Sequence, residues 1–281
     1  MAELRAALRA LRPGRRVFHF LYGENCYRYL GALRRRLPHC RLIATYHTPE
    51  RRFVEVVVDR RHLGRLDACV MVSTVQREFL GRWIPEDRLH YVPHGVDVAY
   101  FHPGEGRSPP HGPFRCLTVG AHLRDFDTLE RVMAALEGDA DVCFDLVVPQ
   151  SVAGRFAGKP GVRLHVGVSD AALRDLYRRA HVLLLPLVDG TANNALLEAM
   201  ACGTPLVTTE IPGTLDYVDT RCAWLTPRGE AEAMVDAVRV LRGEVERLAA
   251  MGRAARERAM AFRWEAVARR MEQVYDEVWN G

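Results

Sequence analysis

Short apolar runs recur along the chain, separated by polar loops and by stretches with the 3.6-residue period of helices. Such runs fall at residues 17–22, 41–46, 67–73 and 89–92, and again at 114–119, 142–148, 162–166, 182–185, from 206 and at 223–226. Runs apolar at nearly every position, rather than at alternate ones, suit parallel strands covered on both faces. The stretches between them read as helices: 23–25 turns into a helix reaching 37, 51–66 is partly helical, and 74–83, 128–136 and 171–179 follow, Ser169 capping the last. Two or three more helices fill 229–279. Strands alternating with helices at this spacing predict an α/β fold with parallel sheets. The first eleven helical residues, 2–12, place Leu4, Ala7, Leu8 and Leu11 on one face and Arg on the other, and Pro13 and Gly14 end them. The expectation is that the Leu face packs on its own domain; a peripheral contact with an anionic membrane is the other use of such a helix.

The alternation is interrupted once, by GEGRSPPHGP at 104–113, dense in Gly and Pro as a linker is. Beyond it, residues 182–209 form the most informative stretch: strand, polar loop, helix, strand. Asn193 or Asn194 caps the helix, and Gly203 and Pro205 stop it. Glu198 stands alone in that helix among Ala195, Leu196, Leu197, Ala199, Met200, Ala201 and Cys202. A carboxylate in such company needs a partner. Either a backbone amide or an Arg from a neighbouring loop supplies it, or a ligand with two hydroxyls, such as a ribose, does so at the carboxyl end of the sheet. The helix N-terminus beside it suits a phosphate.

Composition changes this picture little. The 281 residues, 48% hydrophobic and 26% charged, make an ordinary globular chain of one large or two ordinary domains. The net charge of +4 rests almost wholly on Arg, Lys159 being the sole lysine, a bias that carries no implication of nucleic-acid binding. Seven cysteines, odd in number and without a CxxC pair, read as reduced core residues of a cytoplasmic protein. No apolar run has the length of a transmembrane helix and the N-terminus lacks the apolar core of a signal peptide. No spacing of His, Cys, Asp or Glu suggests a metal site.

The segment ending LLEAMACGTPLV resembles the Glu-x7-Glu region of the family 4 retaining glycosyltransferases (glycosyl transferases group 1), whose architecture is GT-B. VPHGVD followed by F-x-P, at 92–97 and 101–103, resembles the close of that family's N-terminal domain, and Phe262-x-Trp264 the start of its terminal helix. The resemblance implies two Rossmann-like domains with parallel sheets facing a cleft. Residues 1–105 would form an acceptor-side domain, shortened to about four strands, 106–261 the nucleotide-sugar domain, and 262–281 a helix crossing back. A sheet so reduced leaves an edge for the first helix, a second copy or a partner chain to cover.

The resemblance also implies an activity: transfer of a sugar, with retention and without a metal or other cofactor, from a UDP, GDP or ADP sugar to an unknown acceptor. Glu198 takes the place of the second Glu, which binds the donor ribose. Gly190 stands where the first Glu belongs, and either Asp189, one position before it, is its short substitute or the role is absent. Arg124, with Asp125, matches the basic residue that meets the donor diphosphate after Gly120, and Thr191, Ala192, Asn193 and Asn194 open the helix toward phosphate or sugar. Gly167, Val168 and Ser169 match the loop facing the base, and His47 the His beside the donor sugar. The departure at Gly190 keeps open a second reading, a nucleotide-sugar-binding or scaffold subunit of weak or no activity.

Overall fold

The computed structural model describes residues 2–12, 14–104, 112–139 and 141–280; most of the Gly- and Pro-rich stretch, 105–111, and Pro13 lie outside the described residues. The chain divides into two compact units, 1–94 with 265–281, and 95–264.

The first unit carries a parallel sheet in the order β1 (Arg16–Phe20), β2 (Cys40–Tyr46), β3 (Ala68–Met71) and β4 (Leu89–Tyr91). These match the four apolar runs expected before the linker. The helices are shorter than the periodicity suggests. After α1 (Ala2–Ala10), α2 covers Gly23–Cys26 and a 3-10 turn covers Leu30–Arg36 in place of one continuous helix; α3 is Glu50–Val56 and α4 Gln76–Leu80. One face of the sheet packs Leu42, Ala44, Tyr46, Cys69 and Met71 against Phe53, Phe79 and Ala10. The other sets Ile43, Ala68, Val70 and Val92 against Val267, Val274 and Val278 of α12 (Trp264–Asn280).

Helix α1 corrects an expectation. Leu4, Leu8 and Leu11 are 60%, 59% and 73% exposed, whereas Ala10 is fully buried and Ala6 and Ala7 pack beside it. The small residues allow close approach, and the approach is fixed by Glu3, whose Oε1 accepts from the main-chain N–H groups of Arg28, Tyr29 and Leu30 at 2.7–2.9 Å. These three charge-assisted bonds hold the helix with its Ala stripe inward and its Leu stripe outward.

The second unit has six parallel strands: β5 (Phe114–Val119), β6 (Val142–Val147), β7 (Val162–His165), β8 (Val182–Leu185), β9 (Leu206–Thr209) and β10 (Ala223–Thr226). Their order, β10-β9-β8-β5-β6-β7, is that of a dinucleotide-binding sheet, with the reversal between β5 and β8. Helices α5 (Phe126–Leu136), α6 (Gln150–Ala153), α7 (Asp170–Arg179), α8 (Asn194–Ala201), α9 (Pro212–Leu215), α10 (Ala231–Gly243) and α11 (Val245–Ala259) cover it. β8 is fully buried along its length, as a both-faces-covered strand must be. Residues 95–103 belong to this unit: Asp97 Oδ1 accepts from Ala99 and Tyr100 N–H at 3.0 and 2.9 Å, holding the turn, and Phe101 packs edge-on to Tyr177.

Candidate functional site

The strand order reverses between β5 and β8, where sheets of this order generally take ligands, and the loops after these two strands are stitched to each other. Asp125 N–H donates to Pro186 O at 2.9 Å and Val188 N–H to Leu123 O at 3.0 Å. The turn that makes this possible puts Gly120 at φ +85° and Leu123, without a glycine's freedom, at φ +58°. Asp125 then caps α5, accepting from Thr128 N–H at 3.0 Å and from its hydroxyl at 2.8 Å.

Arg124 is folded back into this turn. Its Nε donates to Val119 O at 2.8 Å, one terminal nitrogen to His122 O at 2.9 Å, and the other reaches Asn193 Oδ1 at 3.4 Å. Burial lowers the guanidinium to about 10, which leaves it cationic at neutral pH. N–H bonds remain on both terminal nitrogens after these contacts. The solvated loop Arg that a chain rich in Arg suggests is therefore not what forms here.

Asn193 is the cap of α8, its Oδ1 accepting from Ala195 N–H at 3.1 Å. The helix is built of Ala, Leu and Met, strong helix formers. It ends where Gly203 takes φ +71° and Gly203 and Thr204 N–H groups donate to Met200 and Ala199 carbonyls, each at 2.8 Å. Leu196 and Leu197 are buried, each side chain contributing about 1.5–3 kcal/mol. That anchors Glu198 on a rigid element.

Glu198 is half-buried and meets neither an amide nor an Arg, the two protein partners expected for it. The Tyr177 hydroxyl, on α7, donates to Oε2 at 2.8 Å. Among the described residues no other hydrogen bond reaches this carboxylate. Burial pushes it up to about 7, against the pull of the Tyr177 bond, and Asp170 adds a smaller push. Tyr177 itself is fully buried and raised well above its usual range, first by burial and then by Glu198. Nothing in the sequence spacing marks Tyr177 as the partner.

Asp189 Oδ1 accepts from Gly190 N–H at 2.8 Å, a local turn contact. At Gly190 an added Cβ would meet Ile211 at 3.5 Å, an ordinary contact, so the backbone does not demand glycine there. Gly213 is different: a Cβ would fall 2.1 Å from Gly190 O, so α9 approaches the loop as closely as backbone permits. Thr191 is buried, Ala192 half-buried and Asn194 exposed. Gly167, Val168 and Ser169 lie at the start of α7, where Ser169 Oγ accepts from Ala172 N–H at 3.3 Å. Thus Gly120, Arg124, Asn193 and Glu198 are gathered on adjoining loops and helices of one sheet end. His47 belongs to the first unit, after β2, where its ring stacks on Tyr22 at 4.8 Å and its Nδ1 is 3.6 Å from Glu24 Oε1. Among the described residues no group of His, Cys, Asp or Glu is arranged to hold a metal ion, and no helix is long and apolar enough to cross a membrane.

Residues 115–243 match the family model described as glycosyl transferases group 1, and residues 3–100 that described as glycosyltransferase family 4. A D-inositol 3-phosphate glycosyltransferase of Arthrobacter is 30% identical over 228 residues, covering 72% of this chain and 51% of that protein. An MMP alpha-(1->4)-mannosyltransferase of Mycolicibacterium hassiacum is 28% identical over 203 residues, 69% of this chain and 49% of that protein. The chain thus spans about half the length of these relatives. Among solved structures, sucrose-phosphate synthase from Thermosynechococcus elongatus superposes with a TM-score of 0.77 at 21% identity, over 99% of this chain and 77% of that one. Anabaena HepE in complex with UDP and glucose gives 0.78 at 12%, over 99% and 80%. These last likenesses show the fold, GT-B with two parallel-sheet units.

Proposed function

Because the chain belongs to the group 1, or family 4, glycosyltransferases, we propose that it transfers a sugar from a nucleotide-diphosphate donor to an acceptor, with retention and without a metal. The observation that carries this is Glu198, a carboxylate fixed on α8 at the strand-order reversal, with Tyr177 on one oxygen and its other acceptor positions open. A ribose offers two adjacent hydroxyl donors, which suit those positions. Arg124, with free N–H bonds at the same sheet end, and the amides opening α8 stabilise the charge that develops on the departing diphosphate. In this reading fixed positive groups do what a divalent cation does elsewhere. Gly167 to Ser169 face the base, UDP being the first to test since HepE is in complex with UDP.

Gly190 favours a second reading, a nucleotide-sugar-binding subunit with little transfer, because no long acidic side chain reaches out from that position. Calorimetry with UDP, GDP and ADP on the chain and on Glu198→Ala decides between outcomes. One nucleotide binds, and the substitution weakens it by about a hundredfold, near 3 kcal/mol for bonds to a charged group. No binding to a folded sample would overturn the donor site. Binding without acceptor-dependent release of free nucleotide would favour the second reading.

A further inference from the structure

Helix α1 turns outward what an amphipathic helix ordinarily hides. Leu4, Leu8 and Leu11 are exposed along one stripe, at the i, i+4, i+7 spacing of a single helical face. Leu11 and Arg12 follow the last helical residue but keep the spacing, their N–H groups donating to Ala7 O and Arg9 O at 3.2 Å each. Arg5, Arg9 and Arg12, all exposed, each come directly after one of these leucines. At about 100° per residue they form a second stripe beside the first. Ala6, Ala7 and Ala10 pack inward, so the outward face of the helix is half apolar and half cationic.

The distribution of charge adds to this. Residues 1–49 carry ten arginines against two acids, Glu3 and Glu24, although the whole chain is only +4. Neither acid neutralises the stripe: Glu3 Oε1 is bonded to three inward amides and Glu24 is buried. Those same bonds bring Arg28 and Tyr29, both exposed, to the first turn of α1.

We propose that α1 docks the first unit on an anionic membrane surface, lying along it. Where headgroups meet acyl chains, phosphates stand above hydrocarbon, so a face with Arg on one side and Leu on the other is satisfied on both at once. A protein groove would have to cover the leucines and also supply a carboxylate to each arginine beside them. A nucleic acid would take the arginines and leave the leucines in water. Tyr29 presents an amphipathic ring of the kind favoured at headgroup depth. Glu3 holds the helix against its unit before it meets lipid, so binding does not have to order it.

The proposal does not rest on the donor reading, since every residue in it lies in the first unit. The test is co-sedimentation of the full chain with vesicles of phosphatidylcholine alone and of an equal mixture with phosphatidylglycerol, beside gel filtration without lipid. The chain sediments with the mixed vesicles and not the neutral ones, and added salt releases it. Arg5→Gln/Arg9→Gln/Arg12→Gln weakens binding about a hundredfold, at roughly fivefold per arginine near an anionic surface. Leu4→Ser/Leu8→Ser/Leu11→Ser, at exposed positions, weakens it about tenfold or more with the melting midpoint unchanged. The idea is overturned if mixed vesicles bring down no protein, if neutral vesicles bind it as well, or if either variant binds like the parent. It is overturned too if the parent runs as a dimer and the leucine variant as a monomer, which makes a second copy of the chain the occupant. Nucleotide binding without vesicle binding sinks this proposal alone; vesicle binding without nucleotide binding sinks only the donor site.

Discussion

The two units differ in how their polar groups are completed. In the second unit Arg124, Asn193, Asp125 and Glu198 bond to the protein around them, so this sheet end is preorganised by its own contacts. In the first, Glu24 Oε2, the Tyr46 hydroxyl and both His62 nitrogens are buried unbonded. The same α/β architecture thus gives one sheet end whose polar groups hold one another in place and another unit that buries polar atoms without bonds. The titrating groups diverge as well. Burial pushes Glu198 up to about 7, whereas burial, with His47 beside it, lowers His19 to about 4, its nitrogens bonded to Tyr275 and Thr45 hydroxyls at 2.7 Å each.

The contrast can be broken most severely at Gly213. Gly213→Ala drives a methyl into Gly190 O and costs about 2–4 kcal/mol, read as a lower thermal midpoint and as weakened nucleotide binding.

The opposite titrations come next, each about 3 kcal/mol. Below pH 4.5 the Glu198 carboxyl is protonated folded or unfolded. As pH rises from 4.5 to about 7 the unfolded chain loses that proton while the folded chain keeps it, so this group lowers stability over that window. Glu198→Gln removes the fall, and melts from pH 4.5 to 8 show the substituted chain gaining on the parent as pH rises. For His19 the sign reverses: its contribution is complete above 6.5 and is lost as pH falls from 6.5 to about 4, where only the unfolded chain takes up the proton. A proton-NMR titration that places the His19 midpoint near 6.5 instead of near 4 would refute this half of the contrast.

Gly190→Glu has the smallest effect on stability, within about 0.5 kcal/mol, because its Cβ meets only Ile211 at an ordinary distance. It sharpens the choice between transferase and binder. A rise in acceptor-dependent nucleotide release, with the melting midpoint unchanged, assigns the missing carboxylate a part in transfer.

What the sequence made legible was local in cause. The apolar runs located all four strands of the first sheet, and the Asn193 cap and Gly203 stop follow from groups a turn or less apart. Glu198 was recognisable as anomalous, but its partner Tyr177 sits on the preceding helix, brought close only by packing. Helix α1 misled because it carries two stripes, Leu and Ala, and which one is buried depends on Glu3 reaching amides some 25 residues away. Glu24 and His62 left no signature at all: each is ordinary in its own segment and becomes notable only where folding buries side-chain polar atoms without bonds.

The division of the chain also bears on its synthesis. Val267, Val274 and Val278, which cover one face of the first sheet, are made after the whole of the second unit. At the usual 5–20 residues per second the first unit waits on the order of ten to thirty seconds for its last helix, Ile43, Ala68 and Val70 meanwhile uncovered. The first unit is therefore completed only after the second has been made, although most of its strands are synthesised before it.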